Sequence, residues 1–349
     1  MLEQILQEYG LDFPQLEITP FGSGLINNTW KVNRQDADMS YILQRVNHNV
    51  FKKPEDIANN VRLIGTYLAK HNPGYFFVRN IFTHKGNDLL FVEGQGYFRL
   101  VPFVQKSHTV DVVQNAGQAF EAAKQFGRFT YLLNDFPVEQ LKVTIPDFHN
   151  LSLRYTQFLA AVDTGNAQRI AECASEIAWL KKQDYIVDRF NAMQQNPDFK
   201  LRVTHHDTKI SNVLFDDNDK GLCVIDLDTV MPGYFISDVG DMMRTCLSPV
   251  SEEEKDFSKI HIREAYYKAI VEGYTEGMEG KLSDAEKHSF FDAGCYLIYM
   301  QALRFLADHI NNDVYYGAKY EGHNFVRACN QVTLLERMLE KETELRLIG

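Results

Sequence analysis

The sequence predicts an α+β chain of two lobes, an antiparallel sheet lobe followed by a mainly helical one, and three features lead there. Short β-branched and aromatic runs separated by Gly/Asn turns fill the first hundred residues. Beyond Val104 the composition shifts to Ala, Leu, Glu and Lys at helical spacing. One hairpin-like stretch, "NVLFDDNDKGLCVIDLD", interrupts the helical part. At 349 residues the chain is long for one small domain and short for three. The expected division is 1–104 and 105–349, joined through the extended "LVPFV".

In chain order, "LEITPFGSGLINNTWKVNR" has apolar runs on either side of a Gly/Asn turn, and "MSYILQRV" is a short strand. "PEDIANNVRLIGTYLAKH" is a helix: Pro54 and two acids open it, and Ile57, Val61, Ile64 and Leu68 share one face toward the sheet. "GYFFVRNIFTHKGNDLLFVEGQGYFRLVPFV" adds three runs divided by turns, for about five strands in all. Helical periods then cover 111–134, 171–193, 258–278 and 328–345; the apolar run "CYLIYMQALRFLADHI", interrupted by Gln301, Arg304 and Asp308, is too polar to span a membrane and reads as a buried helix.

The formal net charge of −11 repels phosphate backbones and anionic lipid, which excludes nucleic acid and membrane surfaces as general partners. A basic pocket for a nucleotide remains open, and no protein partner is signalled. Acids in "MLEQILQEYG" stand where a secretory signal carries Lys or Arg, so a cytoplasmic location is expected. The five cysteines are scattered, with no C-x-x-C pair, and support neither a disulfide framework nor a zinc site.

The chemistry concentrates in "THHDTKISNVLFDD", residues 204–217. If "VLF" and "LCVI" pair around the 216–221 turn, Asn212 at the start of one strand lies beside Asp226 at the end of the other, with Asp207 a few residues upstream. An amide oxygen and a carboxylate suit Mg2+, which takes its remaining ligands from water and phosphate. Asp207 then suits a base that accepts a proton from an attacking hydroxyl. Asp228, two residues past Asp226, serves either the metal or the next turn.

"HHDTKISN" resembles the H-x-D-x-x-x-x-N catalytic loop of kinases, and "VIDLD" stands where their metal-binding Asp follows. "IDLDT" in place of D-F-G is similar to the aminoglycoside phosphotransferase and choline kinase branch, which acts on small molecules. Eight blocks in order, among them "FGSGLINNTW", "FRLVPFV", "IPDFHN", "DVGDMMR" and "ALRFLADHINNDVYYGAKYEGHNFVRA", resemble the N-acetylhexosamine 1-kinases.

The resemblance implies a protein-kinase-like fold, ATP with Mg2+ as cofactors, and phosphorylation of the anomeric hydroxyl of an N-acetylhexosamine. It implies Asp207 as base, Lys209 as the cation at the transferring phosphoryl group, and Asn212 and Asp226 as metal ligands. Gly22, Gly24 and Arg45 would meet phosphates, and Arg99, Val101 and Phe103 lie in the adenine-facing segment. Arg45 departs from the usual lysine, and its helix partner is in doubt because Glu55 and Asp56 come early and Asn59 and Asn60 follow. Arg304 and Tyr315, with His149 and His323, would form the sugar pocket. Arg304 and Asp308 equally suit an ordinary i,i+4 ion pair. His205 reads as a support of the loop backbone, and Asp238, Asp241 and Arg244 as helix-start acids with a buried ion pair beneath it. The rival readings are a kinase of the same fold acting on choline, homoserine or an aminoglycoside, and a nucleotide-binding protein without catalysis.

Overall fold

The computed structural model describes residues 2–11, 16–22, 26–34 and 39–348. Its contacts divide the chain into two compact units, Met1–Thr109 with Leu132–Pro146 and Asn212–Pro232, and Val110–Tyr131 with Asp147–Ser211 and Gly233–Gly349. Each unit is thus assembled from three stretches of chain rather than one.

The first unit is built on a five-stranded antiparallel sheet of β1 (Leu16–Pro20), β2 (Asn28–Arg34), β3 (Ser40–Val46), β4 (Leu90–Val92) and β5 (Gly96–Pro102), ordered β1-β2-β3-β5-β4. The register sets Leu43 opposite Leu100 and Arg45 opposite Phe98, so strand alternation sorts the side chains onto two faces. One face carries Val32, Leu43, Phe98 and Leu100, all fully buried, and is covered by Ile5 and Leu6 of α1 (Leu2–Glu8). Tyr9 ties that cover down by donating its hydroxyl to the Phe98 carbonyl at 3.0 Å. This short helix was not expected from the sequence, because seven residues give too little period to read.

The helix expected from Pro54 is α2 (Pro54–His71), with Pro at its first turn and Ile57, Val61, Ile64 and Leu68 buried. The run at 76–82, expected as a strand, makes the Ile81 N–H to Leu100 carbonyl bond of 2.8 Å but forms no ladder. The edge of β5 beside it is instead paired with β4, through Leu90 opposite Phe98. Asn60 of α2 is fully buried: its amide donates to the carbonyls of Lys142 and Val230, at 2.8 and 3.0 Å, and its oxygen accepts from Lys142 N–H at 2.8 Å. One side chain thereby fastens 132–146 and 212–232 to the sheet unit.

The second unit is mainly helical: α3 (Ala116–Leu132), α4 (Leu151–Thr164), α5 (Ala167–Glu172), α6 (Ala174–Lys182), α7 (Tyr185–Gln195), α8 (Phe235–Cys246), α9 (Glu264–Gly277), α10 (Asp284–Lys287), α11 (Phe290–Ile310), α12 (His323–Glu340) and α13 (Glu342–Arg346). The single period read over 171–193 is split among three helices, with a break at the fully buried Cys173. α11 is the central helix, buried on nearly every side and packed against α4, α7, α8 and α12. No described helix is long and apolar enough to cross a membrane, and all five cysteines are free thiols.

α3 and α9 approach backbone to backbone. A Cβ on Gly127 would lie 2.5 Å from the Tyr274 carbonyl oxygen, and one on Gly273 would run into that of Phe120. Gly273→Ala should therefore destabilise the protein by about 1–3 kcal/mol through overpacking, against the gain of roughly 1 kcal/mol that helix propensity alone predicts. Thermal melting decides the sign; a variant as stable as the parent would show that the two helices separate freely.

Candidate active site

In the helical unit, the loop 205–211 is shaped by acids of α8. Asp238, the fourth residue of that helix, is fully buried and accepts the backbone N–H groups of His205 at 3.1 Å and His206 at 2.7 Å. Its own carbonyl accepts the Thr208 hydroxyl at 2.6 Å, while Asp241 accepts Thr208 N–H at 2.9 Å. Burial lifts the Asp238 pKa to about 7, against the two N–H bonds that favour its charged form; nearby Asp241 adds to the rise. Asp241 is raised chiefly by burial too, and Arg244, 2.9 Å away, opposes the shift.

These bonds hold His206 in the left-handed region at φ 66°, an unfavourable conformation for a non-glycine residue. Gly233 makes room for it, since a Cβ there would overlap the His206 imidazole. His205 is fully buried against Phe126 and Phe129, and its Nδ1 accepts Asp207 N–H at 3.4 Å, so it supports the backbone as expected. Asp207 follows on a partly exposed shoulder, with Lys209 Nζ 3.2 Å from its carboxylate.

In the sheet unit, the expected hairpin forms: Val213–Phe215 pairs with Gly221–Val224, Val213 opposite Val224, and Ile225 N–H donates to the Asn212 carbonyl at 2.9 Å. Asn212 therefore stands opposite the residue preceding Asp226. Asp226 has φ 60°, left-handed like His206 and like Asp219 in the hairpin turn. Among the described residues no three His, Cys, Asp or Glu side chains gather as a metal cluster. An amide and one carboxylate suit a hard cation that keeps water and phosphate oxygens in its shell, which is how Mg2+ binds.

The alternation of the sheet corrects one expectation. Arg45 lies on the Leu43 and Phe98 face, beside Gly96 and His48, and so points away from the face that carries Asp228. Glu55, its candidate helix partner, instead raises the Tyr97 pKa on the opposite face. The cation on the Asp228 face is Arg99, which ion-pairs with that buried acid and donates to Gln44 at 2.9 Å. Burial opposes the charge of Arg99, but Asp228 and, further off, Asp226 hold its pKa raised. Asp228 also accepts from Asn27 at 2.8 Å, so its role is to anchor. The Arg99 guanidinium is thus engaged within the unit and is not left for a nucleotide.

On the same face Phe103 has Lys31 Nζ 3.9 Å from its ring centroid and Phe21 edge-on at 5.9 Å. The Phe103 N–H is taken by the Ser40 carbonyl, and Val101 on the same face is half-buried. Gly22, at φ 81°, opens onto empty space; Gly24 lies outside the described residues.

The expected acceptor residues divide. Arg304 does not pair with Asp308: that carboxylate accepts the backbone N–H groups of Tyr315 at 2.7 Å and Tyr316 at 2.9 Å, capping the turn after α11. Arg304 instead reaches the Tyr315 hydroxyl at 3.4 Å, with the Tyr316 ring 5.3 Å away. Asn324 braces the turn, donating to Asp308, Asp313 and the Gly317 carbonyl. His149 stacks on Phe148 and lies 5.5 Å from the His206 ring, its Nδ1 buried without a partner among the described residues. Burial, then the neighbouring His206 and Arg304, push its pKa well below the ordinary histidine value, so the ring is neutral. His323 is a correction. It is buried, its Nε2 is 2.6 Å from Glu253 and its Nδ1 accepts Lys319 N–H, which leaves no ring nitrogen for a ligand.

A model of the phosphotransferase enzyme family (APH) matches residues 17–280. The chain belongs to that phosphotransferase family. Amicoumacin kinase with AMP-PNP and Ca2+ bound is similar in structure, at 15% identity over 96% of this chain and 93% of that one, TM-score 0.64. So are choline kinase from Cryptosporidium parvum Iowa II, 14% identical over 97% and 93% with TM-score 0.59, and the microcompartment-associated aminopropanol kinase, 15% identical over 99% and 98% with TM-score 0.62. At such identities the likeness establishes the fold, a protein-kinase-like sheet lobe and helical lobe.

As a phosphotransferase of this family the chain is an ATP-using small-molecule kinase with a hydroxyl acceptor. Sequence reasoning passed over the bracing residues Asn60 and Asn324, which carry no local pattern, and Asp308 as a cap, where an i,i+4 spacing suggested a pair.

Asp238→Asn tests the loop anchor. An amide has one acceptor oxygen for two N–H donors, and a buried donor left unmade costs about 1–3 kcal/mol. The variant should melt lower and turn over more slowly while the KM for ATP holds; wild-type turnover would show that the loop keeps its shape without the carboxylate.

Proposed function

We propose that this phosphotransferase transfers the γ-phosphoryl group of ATP to the anomeric hydroxyl of an N-acetylhexosamine of the N-acetylglucosamine or N-acetylgalactosamine type, giving the sugar 1-phosphate. The Arg304–Tyr315 contact, available because Asp308 caps the turn instead of pairing with Arg304, carries this reading. A guanidinium beside a phenol offers directed donors for sugar oxygens and an aromatic face for the apolar side of the ring. Choline and aminopropanol, named for two structural relatives, are cationic alcohols. An arginine with no acid partner opposes such acceptors.

In this reading Asp207 takes the proton of the anomeric hydroxyl as its oxygen bonds to the γ-phosphorus and the bond to the β-phosphate oxygen breaks. Lys209, held 3.2 Å from Asp207, balances charge at the transferring group. Asn212 and Asp226 would hold Mg2+, which when bound neutralises phosphate charge. Gly22, Val101 and Phe103 would receive the nucleotide. His149, neutral and with an unpartnered Nδ1, would meet a sugar hydroxyl.

ADP release across free sugars, choline and homoserine, followed by phosphorus NMR of the product, tests the substrate. An anomeric phosphate is the expected product, and turnover of choline with none of any sugar would end the reading. Asp207→Asn should cut kcat about 10²–10⁴-fold with ATP binding preserved; near-normal turnover would remove Asp207 from the mechanism. Arg304→Ala should lower kcat/KM for the sugar roughly tenfold to a hundredfold, mostly through KM, as expected for a lost charged hydrogen bond. Wild-type constants would take Arg304 out of the sugar site.

A further inference from the structure

Around His149 the helical unit gathers three arginines, two of which, Arg154 and Arg304, make no ion pair among the described residues. Arg304, on α11, makes only long contacts with Gln301 and Tyr315, both 3.4 Å. Arg154, on α4, donates to Gln157 at 3.0 Å and to the Asp147 carbonyl at 2.8 Å, while its Nε is buried with no partner. Neither guanidinium has a carboxylate within ion-pair reach among the described residues. Arg244, also near His149, differs in this respect, because Asp241 and Glu252 each lie 2.9 Å from it.

Arg154 and Arg304 stand on α4 and α11, two helices packed against one another; burial first and then Arg304 lower the Arg154 pKa, against a smaller opposing pull from Asp147, and both arginines press on His149. Like charges held on two packed helices, one of them with a buried donor unmet, cost stability unless an electron-rich group completes them. The one acid spaced to neutralise Arg304, Asp308, is turned away into the cap.

Building on the hexosamine reading, we propose that Arg154 and Arg304 form a paired-guanidinium subsite for an electron-rich oxygen substituent of the acceptor, an acylamino carbonyl or a carboxylate, and that the pair rejects acceptors bearing an ammonium group there. The acetamido group is selected because it removes the positive charge of the amine, as well as for its shape. A free amino sugar is then a worse acceptor than the plain hexose, although an amine and a hydroxyl are nearly the same size.

The test compares kcat/KM for N-acetylglucosamine, glucose and glucosamine in the wild type, Arg154→Gln and Arg154→Lys across a pH series, with sugars too poor to turn over ranked as competitors of N-acetylglucosamine. At neutral pH glucosamine should fall about tenfold or more below glucose, the size of penalty that like-charge juxtaposition produces. That gap should close as pH rises and the amine of glucosamine loses its proton, and it should shrink in Arg154→Gln. Arg154→Lys, which keeps the charge and guards against a folding defect in the glutamine variant, should preserve it. Equal use of glucose and glucosamine at neutral pH, or a ratio unmoved by Arg154→Gln, overturns the subsite while leaving the kinase reading intact. Failure of all three sugars as both substrates and competitors overturns the hexosamine reading together with the subsite.

Discussion

One buried carboxylate receiving two consecutive backbone N–H groups is the constraint on which the catalytic loop depends. With Asp238 at the start of α8 holding His205 and His206, the chain must turn through a left-handed residue, and Asp207 emerges at the far side of that turn. Such a conformation persists only where its surroundings over-determine it. Here they do: the Thr208 contacts with Asp238 and Asp241, the room left by Gly233 and the Phe126–His205 packing all fix the same few residues. The restraint continues outward, since Arg244 links Asp241 to Glu252, and Glu252 pairs with Arg327 of α12. A loop whose backbone N–H groups are tied to carboxylates of a helix, and through it to the rest of the helical unit, loses little entropy when a substrate arrives.

The sheet unit solves a related problem with an ion pair. Asp228 is two per cent exposed, and an acid so buried needs a cation and further donors. Arg99 and Asn27 supply them, with Gln44 orienting the guanidinium from the neighbouring strand. The consequence is positional: the single 3-10 turn Leu227–Thr229, tied to the sheet through Asp228, follows directly on Asp226 with its left-handed backbone. In this arrangement strand β5, rather than β3, contributes the buried cation on that face of the sheet.

The distribution of arginine partners separates structure from chemistry in the helical unit. Arg202, Arg244 and Arg346 are each matched to carboxylates and serve the frame. Arg154 and Arg304 are not so matched, and they stand beside a neutral His149 with an unmet ring nitrogen. A chain with net charge −11 has acids to spare, so two arginines without one among the described residues mark a place where the frame's own pairing has been withheld.

The sequence by itself determined what rests on local period and spacing. α2 begins at Pro54 as read, because proline at the first turn and a four-residue apolar stripe are local signals; the Val213–Phe215 hairpin and the nearness of Asn212 to Asp226 follow from an Asp/Asn/Gly turn between two short apolar runs. The loop support by His205, Asp238 and Asp241 was legible for the same reason, as part of a motif with fixed spacing. Tertiary structure alone decided which face of β3 receives Arg45, since a strand's alternation is visible in sequence but not which side the rest of the unit covers. It decided that Asp308 would cap the Tyr315 turn and that His323 would be satisfied by Glu253, because each choice depends on a donor brought in from elsewhere in the chain. Helical spacing names the residues able to meet; the competition among partners for a buried carboxylate is settled only where desolvation makes every unpaired group costly.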